Sequence, residues 1–283
     1  MVGKSWSFRA FQAAMGLFLC AFTLTPIYVM FSSSLKPLID VQGAFTWWPR
    51  HLTFQAFSQI WQTVPLGLYF ENSLIDCACS TAFAVIVAVL AAYGLSRYRF
   101  TGRSAFMRTV LATQMFPGVL FLLPLFLIFV NIDNSLGITL LYQTRFGLIV
   151  TFLTFNLPFA IWMLKSFIDE LHRPIEEAAR LDGSSELKIL WRICLPQMRA
   201  GIAATAIIAF VFTWNDFLFS LLLTSVDTRT VPVAMTRVVG ADVGVDWGVF
   251  AAIGTIYLLP VLLIAFFLQG QLLRGATFGT VPR

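Results

Sequence analysis

Charge is what this sequence has least of. Only 12% of its 283 residues are Asp, Glu, Lys or Arg, against 58% hydrophobic residues and a mean hydropathy of +0.81. A soluble domain carries about 25% charged residues to cover its surface, so an ordinary soluble fold is excluded. Histidine is scarcer still: His51 and His172 are the only two, and both fall outside the apolar runs. No His, Cys or carboxylate cluster has metal or nucleophile spacing, which argues against an enzyme. Cys20, Cys77, Cys79 and Cys194 lie in or beside apolar runs. Cys77-x-Cys79 is too tight and lacks the second pair that a zinc site needs, so all four read as packing residues. There is no internal repeat and no low-complexity segment. A nucleotide site is also missing. Gly3-Lys4-Ser5 looks like the end of a phosphate-binding loop, but no upstream glycine or strand accompanies it.

What is present is a series of charge-poor windows. They predict an all-α membrane protein, a single transmembrane domain over 1–283, with six helices over about 11–33, 75–96, 108–131, 146–167, 200–224 and 247–270. The first has no small-residue cleavage site after it and is too long for a signal peptide, so it is expected to be retained. Six crossings put both termini on one side. That side receives fourteen of the nineteen Lys and Arg residues, which predicts that both termini are cytoplasmic. Pro26, Pro117, Pro124, Pro158 and Pro260 fall within apolar runs. Each is expected either to bend its helix, as around a path, or to be tolerated as prolines in membrane helices often are.

Between the fourth and fifth windows lies a polar stretch from Asp169 to Arg199. It reads as two short helices and a corner. Pro174 suits a first helical position, Glu176 and Glu177 the first turn, and Asp182-Gly183 the stop. Ser184 or Ser185 then caps a second helix, with Glu186 in its first turn. Leu187, Leu190 and Cys194 are expected to share its apolar face, and Pro196 closes it. Ala178 and Ala179 leave the backbone accessible to a partner's groove, Leu181 offers an apolar anchor, and Glu177 and Arg180 offer charges. The plainer alternative is an amphipathic interfacial helix with no partner.

The string Glu177-Ala178-Ala179-x-x-Asp182-Gly183, with Ile193-x-Leu195-Pro196 downstream, resembles the coupling loop of permease subunits of bacterial binding-protein-dependent ABC importers. Asn72-Ser73-Leu74, Trp214-Asn215-Asp216-Phe217 and the tail Arg274-Gly275-Ala276-Thr277-Phe278-Gly279 are similar to motifs of the carbohydrate branch, nearest its maltose-type second permease subunit. Ala200 departs from the pattern, where proline is expected. The resemblance implies a non-catalytic permease domain in a bacterial inner membrane, with a coupling helix between helices four and five. Glu177, Ala178, Ala179, Arg180, Leu181, Asp182 and Gly183 would dock on a separate ATPase. It further implies a heterodimer with a second permease subunit, two ATP-binding subunits and an extracytoplasmic solute-binding protein. No cofactor is then expected in this chain, because ATP and Mg would be bound by the ATPase partner. Membrane lipid surrounds such a chain, and no nucleic acid is involved. The solute would be a sugar or a related polar molecule.

Asp216 reads as the only acidic residue well inside an apolar run, with Asp76 and Glu71 at the outer mouth of the second window. Together Trp214, Asn215 and Asp216 are candidates for the translocation path: hydrogen bonds to hydroxyls from the polar pair, stacking from the indole. The alternative is that Asp216 ties the fifth helix to a neighbour. The segment from Asp227 to Asp246 is expected outside, either reaching a solute-binding protein or serving as a connector. The competing function is a stand-alone secondary transporter of a polar solute. Such proteins usually carry repeats and paired intramembrane charges, and neither is seen.

Overall fold

A computed structural model of the chain describes residues 6–240 and 244–277. Gly3-Lys4-Ser5, Phe278-Gly279 and Arg283 lie outside the described residues. The helices in chain order are α1 (Trp6–Ser34), α2 (Leu38–Gln42), α3 (Gln55–Thr63), α4 (Leu66–Arg97), α5 (Arg103–Thr113), α6 (Leu122–Leu136), α7 (Arg145–Asp169), α8 (Arg173–Leu181), α9 (Glu186–Ile189), α10 (Leu195–Gln197), α11 (Arg199–Trp214), α12 (Leu218–Leu223), α13 (Val231–Ala234) and α14 (Trp247–Thr277). Among the described residues five stretches are long and apolar enough to cross a membrane: Trp6–Ser34, Leu66–Arg97, Gly118–Leu136, Arg145–Asp169 and Trp247–Phe267. A sixth results if Glu186–Gln197 and Arg199–Trp214, which meet at 79°, count as one broken span.

Contacts divide the chain into two units. The first comprises residues up to Leu66 together with Ala234–Pro260. Its α1 buries only Ser32 and Ser34, leaving an apolar surface that suits lipid or a partner helix. The loop after α2 folds back on that end. Tyr28 donates to the Trp47 carbonyl at 2.7 Å, and the buried Lys36 ammonium donates to that of Thr46 at 2.5 Å. Strands β1 (Val239–Gly240) and β2 (Gly244–Val245) pair antiparallel before α14. Asp246 then caps α14, accepting from the Gly248 and Val249 amides at 3.1 Å each.

The second unit, Gly67–Val233 with the remainder of α14, holds the polar corner. Its central packing is α7 against α11. Gly201 lets the two helices approach so closely that an added Cβ would lie 2.4 Å from the Phe167 ring. Within that contact Asn156 donates to the Thr213 hydroxyl at 2.7 Å.

Two of the six windows are broken. The 108–131 window splits into α5 and α6, because Pro117 denies the helix a donor and Gln114–Phe116 close the first piece in a turn. Pro124 falls in the first turn of α6, where its missing amide costs nothing. The 200–224 window splits at Asn215–Phe217. Pro26, Pro158 and Pro260, by contrast, lie inside continuous helices.

Candidate functional site

The polar stretch folds into a corner with one face locked and one face free. Helix α8 starts at Arg173, so Pro174 occupies its second position, still clear of any amide that needs a partner. It ends on Gly183 at φ 78°. The Ser184 amide donates to the Ala179 carbonyl and the Gly183 amide to that of Arg180, both at 3.0 Å. This pair of bonds is the Schellman closure, which needs a left-handed residue. Ser185 stands before α9, although its side chain makes no cap bond. A π-helical turn over Leu190–Cys194 follows. It widens the helix where the Pro196 ring would otherwise press on the preceding turn. Ile189, Leu190 and Cys194 are buried, whereas Leu187 is exposed and so does not share their face.

The two adjacent glutamates of α8 part company. Glu177 is exposed. Glu176 is only 2% exposed and meets the Arg97 side chain, itself 4% exposed. Arg97 Nε donates to both Glu176 oxygens at 3.0 and 2.9 Å, and Nη2 donates to Oε1 at 2.5 Å. The same guanidinium donates to the Ile168 carbonyl at 2.8 Å and the Ser96 hydroxyl at 2.9 Å. Ser96 in turn donates to Asp169, which also accepts from Lys165. Beyond the corner, Glu186 accepts from Arg180 at 2.6 and 3.1 Å and from the Tyr93 hydroxyl at 2.7 Å. Hydrogen bonds from Arg180 and then Tyr93 hold the Glu186 carboxyl below the usual carboxylate range, and Glu186 holds Arg180 above its ordinary value. The pair is therefore ionised at neutral pH. Its contribution to the corner is complete above the ordinary glutamate pKa and fades only as pH falls through the lowered one.

The exposed side mixes apolar residues with charged ones, Glu177, Asp182, Lys188 and Arg192 among them. Leu181 is 90% exposed at the corner itself, and Ile175, Leu187 and Trp191 are exposed on the same segment. The small residues Ala178 and Ala179 lie between them in the chain.

The intramembrane candidates fare differently. Trp214 is fully buried, with Phe210 stacked on its ring and Phe70 edge-on, each at 5.6 Å. Asn215 is exposed, its amide donating to the Val211 carbonyl at 2.8 Å. Asp216 Oδ1 accepts from the Ser220 amide at 3.0 Å and its hydroxyl at 3.2 Å. The acid thus starts α12 after the break, a local role that the expectation of an inter-helix tie did not include.

Asp76, expected at the outer mouth of the second window, lies inside the protein. It is fully buried, with Arg145 Nε 3.7 Å from its carboxylate. Asn72 and Ser73 share that side of α4. Asn72 donates to the Asp227 and Arg229 carbonyls at 2.8 and 2.9 Å, and Ser73 accepts from the Val231 amide at 2.9 Å. Arg145 also donates to Asn72. The motif at the head of the second window therefore binds the backbone of the segment after α12.

Sequence reasoning passed over Arg97, Tyr93 and Arg145 as partners and treated Glu176 only as a first-turn charge. The available signal was Tyr93 and Arg97 at a four-residue spacing at the end of an apolar helix. Among the described residues no group of three or more His, Cys, Asp or Glu is arranged to hold a metal ion.

Solved structures define the class of fold. The chain superposes on a subunit of a bacterial ABC transporter that imports the acidic polysaccharide alginate. The TM-score is 0.76 at 23% identity, covering 95% of this chain and 99% of that one. The family follows from sequence. Residues 84–277 match the model of the binding-protein-dependent transport system inner membrane component, and the chain belongs to that family of transport permeases. It is 34% identical to the inner membrane ABC transporter permease protein YcjP of Escherichia coli (strain K12) over 275 residues, 96% of this chain and 95% of that one. It is 30% identical to the trehalose transport system permease protein SugB of Mycobacterium tuberculosis (strain CDC 1551 / Oshkosh) over 277 residues, 96% and 97% of the two chains.

Proposed function

We propose that this permease imports a sugar or related polar solute, driven by a separate ATP-hydrolysing subunit that docks on the corner around Gly183. The observation that carries the reading is Leu181, 90% exposed at a corner otherwise bolted down by charges. Burying one leucine side chain is worth about 1.5–3 kcal/mol, so such a residue favours a partner's groove. Glu177, Ala178, Ala179, Arg180, Leu181, Asp182 and Gly183 form the contact. The spans enclose the path as one permease domain with both termini cytoplasmic, in line with the Lys and Arg asymmetry. A second permease completes the path, a pair of ATPase subunits binds ATP and Mg, and a solute-binding protein delivers solute from outside. Closure of the ATPase pair pulls the docked corners together. The helices then exchange inward for outward access, and the solute biases that exchange by its differing affinity for the two states. Sugars are favoured as cargo because relatives carry the names of trehalose and diacetylchitobiose systems. Asn215, exposed at the break between α11 and α12, is the path residue best placed to meet hydroxyl groups.

The test is co-purification of the ATPase with this chain from membranes, followed by uptake of trehalose and diacetylchitobiose into liposomes. Wild type is expected to retain the ATPase. Leu181→Asp, which folds equally because the site is exposed, is expected to weaken retention by roughly tenfold or more, about 1.4 kcal/mol. Uptake without any ATPase would instead favour the stand-alone transporter.

A further inference from the structure

A docked corner transmits movement only if it cannot hinge on its own helices. Short loops at a membrane surface usually can, since water satisfies their backbone whichever way they turn. Here the corner packs Ile189, Leu190 and Cys194 against α4 and α7, and two side chains of α4 set one turn apart, Tyr93 and Arg97, add directed polar bonds to that apolar contact. The lower one, Arg97, bonds three elements at once: Ser96 within α4, the Ile168 carbonyl near the end of α7, and Glu176 of α8. The upper one, Tyr93, bonds Glu186 beyond the corner, and Glu186 is held to Arg180 of α8. Both arms of the corner are thus fastened to the same face of one helix. The Arg97–Glu176 contact is buried from water, with Arg180 Nη2 a further 3.8 Å from the Glu176 carboxylate, so removing either charge leaves its partner poorly compensated.

We infer that Arg97 and Glu176, seconded by Tyr93 and Glu186, are positioning residues that make the corner and α4 move as one body, so that docking becomes rotation of a membrane helix. This rests on the docking reading above, and it separates two properties that reading leaves joined: holding the ATPase and commanding it. Glu176→Gln keeps the shape of the side chain but sets an amide against guanidinium donors. It leaves Leu181 and the Gly183 closure in place.

The experiment uses the complete complex in liposomes, with ATP hydrolysis followed before and after addition of the solute-binding protein to the outer face. Glu176→Gln is expected to retain the ATPase as wild type does. The rise in hydrolysis on adding the binding protein is expected to fall by roughly tenfold or more, within the range of ordinary coupling free energies. The exchange Arg97→Glu with Glu176→Arg is expected to restore part of that rise. A rise equal to wild type in Glu176→Gln overturns the inference. So does loss of the ATPase itself, since the pair would then only shape the docking face. Should Glu176→Gln fail to accumulate, Tyr93→Phe removes a single hydroxyl and carries the same readout, with the same two overturning results. If the wild-type chain holds no ATPase, it is the importer reading that fails, and the two failures are distinguishable.

Discussion

Alanine at position 147 is expected to deny the chain its fold. Gly147 is the third residue of α7, and a Cβ there would lie 1.8 Å from the Leu141 carbonyl oxygen and 2.7 Å from its carbon. The obstacle is backbone, so no rotamer change relieves it. Nor can the loop retreat. Asp133 accepts from the Leu140, Leu141 and Tyr142 amides at 2.8–3.2 Å, and the Leu141 carbonyl also accepts from Thr144 Oγ1 at 3.1 Å. Thr144 in turn caps α7 by accepting from the Gly147 amide at 3.0 Å. Moving either strand of this knot breaks the cap, worth about 1 kcal/mol, in addition to the roughly 1–3 kcal/mol of overpacking. Gly147→Ala is expected to melt well below wild type in detergent, or to fail to accumulate, by fluorescence-detected size exclusion. Gly94→Ala is the control: nothing lies within 4 Å of its added Cβ, and alanine inside a helix is favoured by roughly 0.5–1 kcal/mol. Equal melting of Gly147→Ala and wild type would show that the loop gives way.

Proline at position 183 is expected to abolish ATPase retention while leaving the membrane helices intact. Gly183 sits at φ 78°, and the proline ring holds φ near −65°. The substitution also removes the amide that donates to the Arg180 carbonyl at 3.0 Å. Helix α8 then lacks its closure, and the turn that aims Leu181 outward and brings Arg180 onto Glu186 is lost together. Loss of retention by at least about a hundredfold, or 2.7 kcal/mol, is expected in the co-purification assay. Gly183→Asn, which tolerates the left-handed conformation, is expected to keep most of it. If proline and asparagine variants hold the ATPase equally, the corner is not the docking surface. Unlike Glu176→Gln, which spares holding and removes response, Gly183→Pro removes holding itself.

Much of this architecture was legible before any fold was known. Long charge-poor runs became helices, because an apolar helix satisfies its own backbone without reference to anything else. The Asp182-Gly183 stop was also legible, since a left-handed helix closure is a local demand met by glycine. Which of the proline-bearing windows would break was not. Hydrophobicity does not distinguish Pro117, which splits α5 from α6, from Pro158, which α7 accommodates within one helix. Asp216 looked like a charge stranded in mid-helix, and it proved to be the residue that starts the next one.

The carboxylates mark the boundary most clearly. By itself the sequence determined that this is a helical membrane chain with one polar corner, because solvent preference and turn chemistry are properties of neighbouring residues. Only the tertiary structure decided that Glu176 is sealed against Arg97 while Glu177 faces solvent, and that Asp76 is buried beside Arg145 rather than exposed at the membrane surface. Glu176 and Arg97 stand 79 positions apart. Adjacent residues on a helix point about 100° apart, so which of two neighbouring glutamates is buried depends on where a distant guanidinium comes to rest.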